Sequence, residues 1–463
     1  MLDQLNEWVS AANGLLWGWP MIILLLGTHI FMTVRLHFPQ RHIHKAIRLS
    51  LKQDGDSKGD VSQFGALATS LAATIGTGNI VGVATAVALG GPGAILWCWL
   101  SGIFGISTKY AEGLLAVKYR IMTDDGHMLG GPMYALERGL GWKWLAVLFS
   151  LFTALAAFGI GNLVQSNAIS MLCQDTYNVP TWTSGCCIAA LAAMVILFGV
   201  KGISKVCTTL VPIMALFYVL GCLYILYNNS AYLWDAICLI CKSAFTPTAA
   251  GGGFIGTSIM ATARYGIARG LFSNESGMGS APIVAAAAQT RNPVRQALVS
   301  SSGTFWDTVV ICAITGLVLV SSILAHPDIN WSDGGALTKL AFSKIPFGAP
   351  LLTFGILTFA FSTILGWSYY GEKGMEYLGG RRYRLPYRLV YIALIVVGAV
   401  VKLDLVWNIS DLLNAFMAIP NLVAVLCLSG VVVHETKLYL WSDRLDDYPN
   451  VSNDLKQSKH DIG

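Results

Sequence analysis

Residues 74–93, "TIGTGNIVGVATAVALGGPG", place Gly76, Gly78 and Gly82 inside an otherwise apolar run. Glycines so spaced suit a phosphate-cradling loop, a close helix contact, or a helix interrupted at membrane depth. The phosphate reading fails because the spacing is G-x-G-x-x-x-G, no Walker lysine follows, and no βαβ unit surrounds it. Close helix packing accounts for Gly82 and for Ala84, Ala86 and Ala88, but not for Thr77 and Asn79 between the glycines. A broken helix leaves N–H and C=O groups unpaired, which a membrane tolerates only where they line a cavity or bind something. Half-helix N-termini favour a carboxylate and freed carbonyls a cation. The stretch therefore points to a site for a zwitterion and a small hard ion.

Composition supports a membrane setting. Of 463 residues 55% are hydrophobic and only 12% charged, against about 25% charged in soluble domains. Apolar stretches of about 20 residues, enough to span a bilayer, recur near 13–36, 62–90, 92–117, 145–173, 181–200, 206–227, 256–290, 297–325, 349–371, 386–402 and 409–433. The expected fold class is an all-α polytopic membrane protein of about eleven transmembrane helices. The net charge of +5 follows topology rather than marking nucleic-acid binding. Most Lys and Arg, from Arg35–Lys58 through Arg381–Arg388 to Lys459, fall in alternate loops. The positive-inside rule then sets the N-terminus outside and the C-terminus inside. Asp3 and Glu7 precede the first apolar segment, so it reads as a retained helix and not a signal peptide. The ten cysteines, with Cys238/Cys241 as the single C-x-x-C, read as buried thiols.

Five regions follow: 1–61, an extra helix and a basic connector; 62–228; an outer connector at 229–255; 256–434; and a cytoplasmic tail at 435–463. Within the connector, Ile43, Ile47 and Leu51 alternate with Arg41, Lys45, Arg48 and Lys52, as in a helix lying in the interface. The ten spans after it divide into two sets of five, so the second set is inverted relative to the first. Each set opens with an interrupted helix, at "TIGTGNIVG" (74–82) and at "FSNESGMGS" (272–280). Paired interruptions of this kind point to a transporter binding site.

The segments "GTGNIVGVATAVALGGPGAILWCW" (76–99), "GGPMYAL" (130–136), "GIGNLVQSN" (159–167), "GLFSNESGMGSAP" (270–282) and "GWSYYGEKG" (366–374) resemble the alanine/glycine:cation symporter family over nearly the whole chain. Leu96 and Cys98 stand where that family usually has Phe and Met, both away from the expected break. The resemblance implies a prokaryotic cytoplasmic-membrane protein with the LeuT-type five-plus-five repeat. It implies uptake of alanine or glycine with Na⁺, or in some members H⁺, with glutamine as a related substrate. It also implies that Thr77, Gly78 and Asn79 receive the substrate carboxylate, that Gln165 faces the cavity, and that Phe272 lids the substrate with Ser273 lending an oxygen. Matching the LeuT pattern puts sodium between the Ala72 and Ile75 carbonyls and the Ser362 and Thr363 hydroxyls. Trp367 then restricts the pocket to small side chains.

Each residue has a plainer reading. Phe272 is equally a packed core ring, Asn162 a packing contact, and Ser362 and Thr363 can back-bond within their own helix. Glu275 is an ionisable residue at membrane depth, suited to an ion pair with Arg264 or Arg269, to an outer gate, or to ion coordination. Trp142, Trp144, Trp182 and Trp407 read as interfacial anchors. An integral membrane enzyme using Glu275 and a histidine is a second reading, disfavoured because no catalytic motif holds a histidine. A channel would need a pore loop or charged ring that is not evident. The implied partners are a small amino acid, Na⁺ and lipid, with no cofactor, nucleic acid or obligatory protein partner.

Overall fold

A computed structural model of the protein describes residues 2–448 apart from 53, 55–56, 247–257, 333 and 402–403. The end of the expected outer connector (247–255), Lys402 and the tail from 449 lie outside the described residues. Among the described residues the regular structure is helical except for a short hairpin, Ile121–Met122 with Met128–Leu129, and a parallel bridge between Val61 and Ala288. Seven helices among the described residues are long and apolar enough to cross a membrane, and the bent pair Gln63–Thr74 and Gly78–Gly90, taken as one span, makes an eighth. The other three expected spans are helical but shorter or more polar. They are Ala94–Lys118, which carries Lys109 and Glu112; Thr181–Ile196; and the broken segment Ile259–Asn274 plus Ala281–Ala285.

The first break has a local cause. Ser62 caps the helix Gln63–Thr74 by accepting from Gly65 N, and the run then stops at Ile75, whose ψ of 89° is not helical. The chain resumes as a π-helical turn over Gly78–Gly82, with the two halves bent by 54°. Asn79 closes the gap by accepting the Gly76 N–H on Oδ1 at 3.0 Å. A polar residue lodged between glycines thus satisfies a backbone donor the break sets free.

The second break is closed from outside. The helix Ile259–Asn274 ends where Glu275 turns left-handed at φ 53°, followed by Gly277 at 90° and Gly279 at 82°. Glycine is the residue that adopts such angles without strain. Glu112 Oε1, from the Ala94–Lys118 helix, accepts the N–H groups of Gly277 at 3.0 Å and Gly279 at 3.1 Å. The interruption therefore begins after Asn274, and Phe272 and Ser273 remain helical.

Three connecting regions carry structure beyond the sequence expectation. The basic connector holds a 3-10 turn, Pro39–His42, and the α-helix Ile43–Ser50, which buries Ala46 and Leu49 and leaves Leu51 exposed beyond its end. That helix packs on Pro293–Thr304. The outer connector contains the helix Ser230–Ser243. Residues 435–448, expected to begin a polar tail, are helical to Trp441. They then dock, with Asn292 Nδ2 donating to the Leu445 and Asp447 carbonyls at 2.8 and 3.0 Å and Arg295 pairing with Asp446.

One end of the bundle is tied shut. Asp60 N donates to Ala287 O at 2.8 Å, Gln289 N to Val61 O at 2.8 Å, Arg120 to the Ala286 and Ala288 carbonyls, and Arg295 to Asp54 at 2.9 Å. These contacts join the entry to the first broken helix with the exit from the second.

Packing of the helix Gly348–Gly379 against the first break is tight. A Cβ on Gly366 would lie 2.7–2.9 Å from the Cβ, N and Cα of Ala73. Gly366→Ala therefore forces the two helices apart at a cost of about 1–3 kcal/mol. A lower apparent melting temperature in detergent than that of the unmodified protein is the expected result; an unchanged one contradicts the packing.

Candidate functional site

The first break, the second broken helix and the π-helical run Phe305–Cys312 pack together, and the π-helical turn Gly159–Leu163 is linked to the first break through Gln165. π-Turns recur at functional sites because they free backbone carbonyls and re-aim side chains. Here the Ile160 carbonyl inside one such turn accepts from Gln165 Nε2 at 3.0 Å, while Gln165 Oε1 receives the Thr77 hydroxyl at 3.3 Å. Gln165 and Thr77, 88 positions apart in the chain, thus face each other.

A cavity of about 820 Å³ lies above them, lined by Thr77, Gly78, Arg269, Phe272, Trp407 and Asp411 among others. It opens at the end carrying the exposed Asp175 and Lys339, opposite the end tied shut at Val61–Ala288. Phe272 is half-buried in its wall, and its ring lies 3.6 Å from where a Gly78 Cβ would stand. A side chain at 78 would fill the space between the break and this ring.

Ser362 Oγ and Thr363 Oγ1 lie 3.1 and 3.2 Å from the Ala72 carbonyl, and each also bonds back to Phe359 O at 2.9 Å. Thr363 Oγ1 stands 2.7 Å from a Cβ position on Gly76, so only glycine leaves this corner open. Ile75 forms the corner itself. The result is a buried oxygen cluster against the first break, with Ala72, Ser362 and Thr363 each at most 3% exposed.

Four candidates are placed differently from the sequence reading. Gln165, 4% exposed, does not line the cavity and meets Thr77 and the Ile160 carbonyl instead. Both ends of the Asn79 amide are engaged inside the protein: Oδ1 with Gly76 N, and Nδ2 with Asp307 Oδ1 at 2.7 Å. Ser273 Oγ donates to Asp307 Oδ2 at 2.9 Å. Trp367 is 1% exposed, does not line the cavity, and donates from Nε1 to Glu275 Oε1 at 3.1 Å. Glu275 holds Ser280 with its other oxygen, and no ion pair joins it to Arg264 or Arg269 among the described residues. Those arginines lie over the rings of Tyr265 and Phe272. Asn162 donates to Tyr391 O, a packing contact.

Asp307 escaped the sequence reading. It is fully buried and accepts from Asn79, Ser273 and Thr308, the last at 2.7 Å. The signal was present, because an acid inside the apolar run 297–325 falls under the same rule that singled out Glu275.

The sodium:alanine symporter family model matches residues 2–453. The chain belongs to that family. It is 51% identical over 440 residues to the sodium/alanine symporter AgcS of Methanococcus maripaludis, covering 93% of this chain and 96% of that one. It is 50% identical over 446 residues to a transporter of Haemophilus influenzae, covering 95% and 97%. It is 36% identical over 468 residues to a probable sodium/glutamine symporter, GlnT, of Bacillus subtilis, covering 100% and 96%. Among solved structures it resembles MhsT in complex with L-phenylalanine, with a TM-score of 0.56 at 16% identity over 86% of this chain and 95% of that one. That likeness identifies the LeuT-type fold. The protein is an all-α, multi-pass membrane transporter of the symporter class and not an enzyme.

Asp307→Ala tests the junction. It removes the acceptor that Asn79 Nδ2, Ser273 and Thr308 share. A buried unsatisfied donor costs about 1–3 kcal/mol. Asp307→Ala is expected to lower the apparent melting temperature and cut transport at least about tenfold, a loss of about 1.4 kcal/mol; wild-type behaviour in both would contradict the geometry.

Proposed function

We propose that this transporter imports alanine or glycine with Na⁺ across a prokaryotic cytoplasmic membrane, by alternating access between two inverted five-helix sets, 62–228 and 256–434. The N-terminus lies outside and the C-terminus inside. The observation that carries the reading is the convergence of the Ser362 and Thr363 hydroxyls on the Ala72 carbonyl at the first break. Hard cations select such neutral and carbonyl oxygens. Ile75, at the same corner, would add its carbonyl to the sodium shell.

The amino acid would enter through the 820 Å³ cavity and bring its carboxylate to the backbone at Thr77–Gly78. Asn79 fixes the shape of that backbone, and Gln165 faces Thr77 across the site. Phe272 would close over the substrate, while Ser273 and Trp367 act from behind, through Asp307 and Glu275. The cavity opens on the outward side, so the conformation is outward-facing. Turning inward requires breaking the Val61–Ala288 pairing and the Arg295–Asp54 bond.

The driving force is sufficient. One charge crossing 100 mV releases about 2.3 kcal/mol, and a tenfold sodium gradient adds about 1.4 kcal/mol. Their sum of roughly 3.7 kcal/mol supports accumulation of a zwitterion by several hundred-fold at one-to-one coupling.

Labelled alanine uptake into proteoliposomes, with an inward Na⁺ gradient against an equal choline gradient, tests the reading. Uptake that needs Na⁺ and is competed by glycine is expected, with Thr363→Ala raising the Na⁺ half-saturation at least about tenfold, equivalent to about 1.4 kcal/mol. Uptake driven equally well in choline by an acid-outside pH gradient would refute sodium coupling.

A further inference from the structure

Lys109 lies on the helix Ala94–Lys118, 2% exposed, and among the described residues its Nζ has no hydrogen-bond partner and no carboxylate within ion-pair distance. Glu112 lies three residues on along the same helix face, and the second break that it holds carries the buried carboxylate of Glu275 and, through Ser273, that of Asp307. Glu112 Oε1 holds Gly277 N, Gly279 N and Asn421 Nδ2, while its Oε2 is unpartnered. The extra N-terminal helix contributes His29, whose Nδ1 meets Thr108 at 2.7 Å and whose Nε2 is unpartnered beside Gly105. Asn274 Nδ2, at the end of the second broken helix, is unpartnered as well.

Among the described residues, Lys109, Glu112, Glu275 and Asp307 are thus one buried ammonium and three buried carboxylates, drawn from both halves of the chain, with Arg264 and Arg269 only partly buried. A lysine in this setting is costly unless it compensates buried anions. The first break presents neutral oxygens to its buried corner, whereas the second has a buried cation that belongs to the protein.

We propose that Lys109 is a positioning residue whose ammonium serves as a built-in cation at the second break and thereby sets how many mobile cations accompany each amino acid. The proposal rests on the ion-coupled reading above. Without the ammonium, the carboxylate cluster draws one further cation from solution. Because the cluster contains the hinge of the second broken helix, that cation then travels with the substrate.

The experiment measures charge moved per alanine, from the reversal potential of alanine flux in proteoliposomes, for wild type, Lys109→Met, Lys109→Arg and the double variant Lys109→Met with Glu112→Gln. The expected result is one additional charge per alanine in Lys109→Met, or loss of transport that the double variant recovers by removing one anion. Lys109→Arg keeps the wild-type ratio. A Lys109→Met protein that transports at the unchanged ratio overturns the proposal. So do single and double variants that are both inactive although their melting and gel-filtration behaviour match wild type. Should Lys109→Met not fold, Glu112→Gln alone decides. With the ammonium kept and one anion gone, its cation half-saturation must rise at least tenfold, and an unchanged value overturns the proposal. A wild type that moves no amino acid under any ion gradient would instead sink the transport reading itself.

Discussion

Every feature of the site depends on one constraint: a backbone polar group inside a membrane must find a partner. A break in a spanning helix frees several such groups at once, and each unsatisfied one is costly in hydrocarbon. This protein meets the cost in two ways. At the first break Asn79 caps Gly76 from within the same segment. At the second, Glu112 reaches from another helix to hold Gly277 and Gly279. Asp307 then ties the two breaks together, since it accepts from Asn79 on one and Ser273 on the other. A shift at either break must be felt at the other, which is the physical requirement for coupling an ion to a substrate.

The same constraint explains what could be read from the chain alone. The glycines of 76–82 and the polar residues among them are local signals, and the fold class followed from them together with the apolar periodicity. The Ala72, Ser362 and Thr363 cluster came from the family pattern; sequence spacing by itself allowed back-bonding, and the structure has both contacts for each hydroxyl. Glu112 as the cap of a break 165 positions away had no local signature. Asn79 and Trp367 look like cavity residues in sequence because the rule for polar and bulky groups near a break does not say which way they face. In the fold they turn inward, to Asp307 and Glu275. The docking of residues 442–448 was hidden by their polarity, since the partners that hold them, Asn292 and Arg295, lie some 150 positions earlier.

Asymmetry between the breaks gives the transporter a division of labour. Neutral oxygens and an open corner mark the first, and compensated charge marks the second. Neutral oxygens release a cation more readily than a carboxylate cage would, because less electrostatic attraction must be overcome on each cycle. The charged second break is held by Glu112, Asn421, Thr304 and Trp367, from four other helices, and the Ala94–Lys118 helix meets the extra N-terminal helix through Thr108 and His29. That helix lies outside the proposed repeat, yet Leu25 and His29 stand against Gly277.

The most direct test of the central claim, that ion and amino acid share one site built on the breaks, is the equilibrium affinity of the purified protein for alanine. It should be measured by calorimetry at low and at saturating Na⁺ with choline keeping ionic strength constant. Shared occupancy predicts that alanine binds at least about tenfold tighter at saturating Na⁺, and by linkage that alanine tightens Na⁺ by the same factor. An alanine affinity indifferent to Na⁺ would contradict the account.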